Sequence, residues 1–469
     1  MPPFRLTAII PVFALAGCIT PPKVEPPLHI LTKEQLGLSA QVSARVVAKA
    51  WWSAFEDPQL DRLMQQALAD NPSLAQAMAR VREAQSLADV TRAGLAPSMS
   101  FNVQETRKRL SGHDPIPMPY PGTTQWQGSE GLNLSWDIDF WGRQAALLRQ
   151  ASSQTAADVL DVASARLALS GAVTRAYIDL YRNDALAEVA QRTETQRQRI
   201  LEITRRRVQS GLDTNVELRE ASGAVPETHV ELLQARTAAD LDKHQLAALS
   251  GQGAELYAQL RPPTFDPAAI LVLPPQLPAD LLGRRPDVMA ARERIEGARA
   301  GQAAAKAAFY PDINLAAFVG TSSIGIFSNL LQGASRTYGA GPAIHLPLFD
   351  AGRLKARYRG SAAQIDEAIA TYNQSVLQAV RETSDHLSQV ASLAQQIAQQ
   401  QRSLDDAEVA YRLAEERYQA GVSSYLTVLN TETAVLSARR EHVELVCGQA
   451  IARVSLLLAV GGSFDPQAP

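Results

Sequence analysis

Two cysteines in 469 residues exclude a disulfide framework and a cysteine-based metal centre. Outside the extreme N-terminus no run approaches the ~20 apolar residues a spanning helix needs, which argues against a polytopic helical membrane protein. Charge of one sign is lacking too: a net charge of −3 removes any simple electrostatic case for nucleic-acid binding. GxGxxG, P-loop, HExxH and CxxC motifs are all missing, and the seven histidines are scattered rather than paired at ligand spacing. Gly251-Gln252-Gly253 lacks the third glycine of a dinucleotide loop and follows no strand. No catalytic residue, metal site or cofactor is therefore expected. What is present is hydrophobic residues at 46%, too many for global disorder and ordinary for a water-soluble chain.

The first cysteine stands in a special place. Arg5 precedes an apolar stretch over residues 6–16, the pattern of a secretory signal. Leu15-Ala16-Gly17-Cys18 follows and looks like a bacterial lipobox, in which the Cys18 thiol accepts diacylglycerol. A second acyl chain on the amine would supply the two signals that stable anchoring needs. Ile19 is not the Asp of an inner-membrane retention signal, and Pro21, Pro22, Pro26 and Pro27 make a stiff tether. Cys447, between Val446 and Gly448, is read as a small buried hydrophobe.

The chain is one unit written twice. Asn71-Pro72 and Arg285-Pro286 lie 214 residues apart, as do Pro97 and Pro311. Beyond them the offset is 210, linking Gly142-Arg143 with Gly352-Arg353, Gly211 with Gly421, and Gly251 with Gly461. Each half reads helix, strand, strand, long helix, helix. Proline is absent from residues 122–225 and 348–465, so these stretches hold very long helices. One over residues 142–210 would be on the order of 100 Å long at 1.5 Å per residue. Its partners show in strict sevens: Leu218, Val225, Leu232, Ala239 and Leu246, then Val376, Thr383, Val390, Ile397, Leu404, Tyr411 and Tyr418. Such repeats are coiled-coil seams. Pro226 falls inside one predicted helix and should kink it.

Four runs switch to period two. Met99, Phe101 and Val103 alternate with Ser100, Asn102 and Gln104, and Leu132, Leu134, Trp136 and Ile138 with Asn133, Ser135 and Asp137. In the second half Ile313, Leu315, Ala317 and Val319 share a face, as do Tyr338, Ala340, Ile344, Leu346 and Leu348. Pattern alone is satisfied by a half-buried soluble sheet or by tilted transmembrane strands of about 9–11 residues. The export signal and lipobox favour the membrane. Four strands cannot close a barrel, and open edges in lipid cost several kcal/mol for each unpaired group. Two copies give eight strands and a filled interior, whereas three give twelve and a pore. The expected fold is mainly α with a membrane β-barrel: a homotrimer forming a 12-stranded barrel on a long α-helical coiled-coil barrel.

The expected division is a signal peptide at 1–17 and a lipidated tether at 18–50. The first repeat spans 51–251, with strands near 98–106 and 130–140, and a Pro-rich linker spans 252–280. The second repeat spans 281–461, with strands near 312–321 and 337–349, before a tail at 462–469.

Trp51-Trp52, Phe55, Asp57-Pro58, Leu60 and Asn71-Pro72 resemble the opening signature of TolC-like outer-membrane efflux factors. Arg284-Arg285-Pro286-Asp287 and Phe309-Tyr310-Pro311-Asp312-Ile313 resemble the start of their second half. Pro347-Leu348-Phe349-Asp350-Ala351-Gly352-Arg353 is similar to the strand-to-helix junction, and Glu416-Arg417-Tyr418-Gln419-Ala420-Gly421 to the periplasmic tip. The branch resembled is the lipoprotein, NodT-like component of resistance-nodulation-division systems. The resemblance implies a passive trimeric conduit for drugs or other small molecules, set in outer-membrane lipid and reaching into the periplasm. Its implied partners are a periplasmic adaptor (membrane fusion) protein and an inner-membrane resistance-nodulation-division pump, with no nucleic acid. A type I protein-secretion or metal-efflux conduit is the alternative within the same fold.

Gly211 and Gly421 sit between the two helices of each half, where a helix C-terminal cap needs positive φ. The resemblance makes Gly211, Leu212, Gly421 and Val422 the adaptor-docking tips. It also implies a periplasmic gate: Glu217 and Tyr418 match a hydrogen-bonded latch, and Leu426 and Asn430 match an apolar and a polar constriction ring. The plainer reading of Glu217 is a solvated residue, and of Leu426 a core residue. The family tends to carry Asp where this chain has Asn430, so a neutral ring weakens cation preference.

Overall fold

Proline and glycine set the boundaries of every long element. A computed structural model describes residues 20–38, 48–113, 115–267, 281–325 and 327–464. Cys18 and residues 268–280 of the inter-repeat linker lie outside these residues. In the first half, α1 (Pro58–Asp70) and α2 (Pro72–Ala93) lead to β1 (Ser98–Arg109) and β2 (Thr124–Ile138). They are followed by α3 (Arg143–Gln209) and α4 (Asn215–Leu249). In the second half, α5 (Leu281–Arg284) and α6 (Pro286–Ala307) precede β3 (Asp312–Ile324), β4 (Arg336–His345), α7 (Arg353–Gln419) and α8 (Tyr425–Ala459). The duplication is explicit, since α3 and α7 both have 67 residues and α4 and α8 both have 35.

The chain divides into two compact units. The first contains residues 81–158 and 291–372 with the start of the chain, and the second contains 31–80, 159–290 and 373–469. The first unit holds one antiparallel sheet in the order β1-β2-β3-β4. Its register brings the apolar residues into common rows: Met99 with Leu134, Ala317 and Ala340, then Phe101 with Leu132, Val319 and Tyr338. Trp136, Leu315 and Pro342 form another row, and Ile138, Ile313 and Ile344 the last. From the Ile row to the Phe101 row is about 20 Å at ~3.4 Å per residue, close to the ~25 Å apolar band of outer-membrane barrels. The other face carries Ser98, Ser100, Asn102, Asn133, Ser135, Asp137 and Asn314, and Asn314 Nδ2 donates to Ser135 Oγ at 2.8 Å.

Much of this apolar face is left open by the chain. Met99, Phe101, Val103, Tyr338 and Ile344 are all exposed, and among the described residues the outer edges of β1 and β4 have no neighbour. A stable fold must cover that face and pair those edges from outside the protomer. The hydrophobic pattern misses the start of β2 at Thr124, because Gln125, Gln127 and Ser129 leave that stretch with little apolar alternation. β4 ends at His345, two residues before Pro347, which has no amide to donate.

Upstream, the tether runs along α7. Leu28 N donates to Asp366 Oδ1 at 2.9 Å in the first unit, and Leu31 N to Asn373 Oδ1 at 3.0 Å in the second. Three residues of extended chain and seven of helix both cover about 10 Å, so the tether is extended and runs parallel to the helix.

The core of the second unit gathers Trp51, Phe55, Leu60, Leu63, Met64, Val173, Tyr177, Phe265, Leu246, Cys447, Val454 and Leu457. The opening signature is thus mostly structural. Asp57 caps α1 by accepting from Gln59 N at 2.8 Å, and Tyr177 Oη donates to its other carboxylate oxygen at 2.7 Å. Asn71 Oδ1 accepts from Ser73 N at 2.9 Å while its Nδ2 donates to the Leu249 carbonyl at 2.8 Å. The second half repeats the device with Arg285, whose Nη1 donates to the Ala459 carbonyl at 3.2 Å. Gly251 and Gly461 have positive φ, and a Cβ there would collide with the carbonyls of Asp70 and Arg284 respectively.

α4 runs unbroken through Pro226, which lies on its exposed side where water can serve the freed carbonyl. One expectation changes. α8 is long and apolar enough to cross a membrane by length and composition, contrary to the reading that no such run exists; half of that window is packed inside the protein. Cys447 is in that packed part, and burial pushes its thiol up to about 12, as suits a small hydrophobe.

Candidate functional site

The candidate site lies where α3 turns into α4 and α7 into α8. Both turns end their first helix in the same way. Gly211 has φ 70° and Gly421 φ 75°. Leu212 N donates to the Arg207 carbonyl at 2.9 Å, and Val422 N to the Arg417 carbonyl at 3.0 Å. These are six-to-one bonds of the Schellman type, which satisfy carbonyls a helix end leaves free. Glycine is there for its φ, since a Cβ on Gly211 would meet nothing within 4 Å. Leu212 (64% exposed), Val216 (64%), Val422 (65%) and Leu426 (60%) leave four apolar side chains open on these turns.

The first tip is tied down by charge. Arg207 Nε donates to Asp213 Oδ2 at 2.8 Å and Nη2 to Oδ1 at 3.1 Å, a bidentate pair with both side chains nearly buried. The same guanidinium lies 4.5 Å over the Tyr418 ring, and its Nη1 donates to the Tyr418 carbonyl at 2.9 Å, capping the end of α7. Tyr418 is fully buried, its Oη donating to Asp213 Oδ2 at 2.6 Å and lying 2.9 Å from Thr204 Oγ1. Hydrogen bonds from Arg207 hold the Asp213 carboxyl below the usual carboxylate range. Burial, with Asp213 alongside, pushes the Tyr418 phenol up to about 12.

Within the protomer the two residues expected to pair, Tyr418 and Glu217, bond different partners. Tyr418 bonds Asp213, whereas Glu217 accepts from Thr214 N at 2.9 Å and from Thr214 Oγ1, closing the capping box of α4. Those bonds lower the Glu217 pKa. Local geometry decides this: Glu217 is the N3 residue of its own helix, three positions from Thr214, and serves the backbone there. Leu426 and Asn430 lie one turn apart on an exposed face of α8, away from the buried Tyr425, Val428, Glu432 and Val435. Leu426 is not a core residue of the protomer.

Arg207, Asp213 and Thr204 escaped the reading of the sequence, though the repeat held a signal. At the offset of 210, Arg207 matches Arg417 but Asp213 matches Ser423, so only the first turn carries an acid. Further in, Arg197 Nε donates to Glu432 Oε2 at 3.2 Å and Nη1 to the Ala224 carbonyl at 2.8 Å, joining α3, α4 and α8. Burial raises the Glu432 carboxyl, and Arg197 opposes it. Among the described residues no group of three or more His, Cys, Asp or Glu is placed to hold a metal ion.

A family model described as outer membrane efflux protein matches residues 63–252 and 277–462. The chain belongs to the outer membrane efflux protein family. Within that family it is 35% identical to a fusaric acid resistance protein of Burkholderia cepacia, over 68% of this chain and 60% of that protein's length. It is 30% identical to a pyoverdine export outer membrane protein of Pseudomonas aeruginosa, over 89% of this chain and 88% of the relative. The crystal structure of the outer membrane protein VceC from Vibrio cholerae superposes with a TM-score of 0.84 at 32% identity, covering 89% of this chain and all of VceC. The efflux protein is thus an outer-membrane channel component with the duplicated, mainly helical fold of its family, placed in the outer membrane and extending into the periplasm. The family and its structural neighbours are channel proteins.

Proposed function

We propose that three copies of this efflux protein form a passive conduit for drugs or other small molecules, and that the chain carries out no catalysis. The observation that carries this reading is the sheet: four strands with apolar residues in common rows, largely uncovered on that face, and open at both edges. Twelve such strands enclose a pore, while eight would be filled by side chains. The names carried by the relatives, one for fusaric acid resistance and one for pyoverdine export, support small organic cargo. Cargo choice belongs to the resistance-nodulation-division pump, reached through a periplasmic adaptor.

The tips built on Gly211, Leu212, Gly421 and Val422 dock the adaptor, with their exposed apolar side chains as the contact. Tyr418, Glu217, Leu426 and Asn430 form the gate region. Tyr418 acts through Asp213 and Arg207, Glu217 holds the start of α4, and Leu426 and Asn430 supply the constriction. Cys18 carries the lipid, with residues 1–17 removed as a signal peptide. The tether supports this: Leu28 stands about 20 Å down α7 from Arg353, and ten residues can span up to about 33 Å, length enough for a lipid carried ten residues upstream to reach the strand end of the helix. Purification of the tagged protein from outer membranes, with sizing of the complex and bilayer recording, tests the whole reading. A monomer in the soluble fraction overturns it.

A further inference from the structure

The first two turns of α7 carry Arg353, Lys355, Arg357 and Arg359 and no acid in the first turn. Cations there face the positive end of the helix dipole, where the Asp350 carboxylate, accepting from Gly352 N at 3.0 Å and Leu354 N at 2.7 Å, is one anion against four cations. At the offset of 210, the first repeat has Arg143, Ala145, Leu147 and Arg149, so two of the four charges belong to the second half alone. Among the described residues none of the four α7 cations forms an ion pair.

Their height and side are defined. β4 ends one residue after Ile344, in the last apolar row, and Leu346, Leu348 and Phe349 (88% exposed) follow before the helix begins. Lys355 and Arg359 stand about 3 and 9 Å into α7 at 1.5 Å per residue, within the headgroup layer that borders an apolar band of this kind. Lys355, Arg359, Ala362, Asp366 and Asn373 follow spacings of three, four and seven, so they share the face on which Leu28 and Leu31 are held. That face is the outer one if the tether leads to a lipid anchor. Arg353 and Arg357 lie on the other side of the helix. Extended at three residues per two helical turns, the tether brings Glu25 near the level of Arg359 and Lys23 close to that of Lys355. Glu25 forms no ion pair with either cation, and Asp366 is occupied by Leu28 N.

We propose that Lys355 and Arg359 bind the headgroup phosphate of an anionic glycerophospholipid in the periplasmic leaflet, with Leu346, Leu348 and Phe349 against its acyl chains. One turn apart, the two cations straddle a single phosphate. A net-negative headgroup is selected because a zwitterionic one brings an ammonium to the same cations. The proposal rests on the outer-membrane channel reading and adds a lipid site to it.

The test is phospholipid retention by the full mature lipoprotein, reconstituted in phosphatidylethanolamine nanodiscs containing phosphatidylglycerol and then weighed intact in detergent. Lys355→Gln with Arg359→Gln should weaken phosphatidylglycerol binding about 25-fold, taking a factor of about five per charge at an anionic surface. Arg353→Gln with Arg357→Gln removes the same charge at similar height and should leave binding unchanged, and Lys355→Arg with Arg359→Lys should retain it. Equal loss in both Gln pairs, or loss in neither, overturns the site. Should the first pair fail to assemble, the wild type decides: phosphatidylglycerol retention must fall with added salt while phosphatidylethanolamine retention stays level, and a flat response overturns the proposal. Failure of the wild type to insert as a channel would instead overturn the channel reading.

Discussion

The two tips descend from one sequence and share a backbone, yet they are held by different means. The α3–α4 turn has Asp213 clasped by Arg207 and touching Tyr418, and a capping box between Thr214 and Glu217. The α7–α8 turn has Ser423 and Thr427 at the matching positions, and its N-cap Ser424 makes no side-chain bond to the backbone. Arg417, the partner of Arg207 in the repeat, is exposed. One tip therefore holds a nearly buried ion pair within its own turn, while the other has no acid of its own and relies on its backbone bonds, the packing of Tyr425 and Val428, and the Arg207 cap on the Tyr418 carbonyl. Duplication copies a fold cheaply, and a single acid at position 213 is enough to give the two copies different side-chain attachments.

The largest effect should come from destroying both turns at once. Gly211→Val with Gly421→Val places β-branched side chains at positive φ and should abolish drug resistance; survival of resistance in cells with normal trimer levels would sink the docking role. Next is the asymmetry itself. Arg207→Ala leaves a nearly buried carboxylate unpaired at a local cost of about 3–5 kcal/mol, and hydrogen exchange over residues 204–218 should accelerate accordingly. Arg417→Ala, on the exposed counterpart, should change exchange by less than ~0.5 kcal/mol. Comparable effects from the two would erase the distinction.

A smaller step is Tyr418→Phe, which removes the hydroxyl bonds to Asp213 and Thr204 and should cost about 1 kcal/mol in the same exchange measurement. Acid gives a matching signature. The Asp213 pKa is lowered in the folded protein, so its stabilisation is complete above the unfolded value of about 3.9 and is lost as pH falls through the folded value. Protection of the first tip should therefore persist through the ordinary Asp range and fail below it, a step the Ser423 tip lacks. At the alkaline side, Tyr418 contributes fully below about 10 and loses that contribution as pH rises toward about 12. Leu426→Ala removes an exposed side chain and should leave stability within ~0.5 kcal/mol, while raising single-channel conductance in bilayers. Unchanged conductance would take Leu426 out of the gate.

Much of the architecture was legible in local patterns. Proline-free stretches marked α3, α7 and α8, strict sevens from Leu218 to Leu246 marked α4, glycine pairs at a fixed offset marked the duplication, and alternation at Met99, Phe101 and Val103 marked a strand. Each depends on spacing along the chain, which backbone geometry converts directly into helix or strand. The outer end of β2 was hidden because polar residues such as Gln125 and Gln127 leave little alternation to detect. The site was half legible. Gly211 and Gly421 announced the turns through their φ, but Glu217 was paired with Tyr418 on resemblance, whereas its carboxylate is taken by Thr214. Nothing local tells a carboxylate whether a backbone amide or a phenol will reach it first.

Helix lengths, strand periodicity, the repeat and the two left-handed turns follow from short-range sterics and hydrogen bonding, and so belong to the order of residues. That Arg207 meets Asp213 and Tyr418, 211 residues away from it, depends on how α3 and α7 pack. The cross-strand rows that make one sheet face apolar likewise exist only once β2 pairs with β3, some 180 residues on. Such contacts join groups whose separation along the chain carries no information about distance, and only the packed fold brings them together.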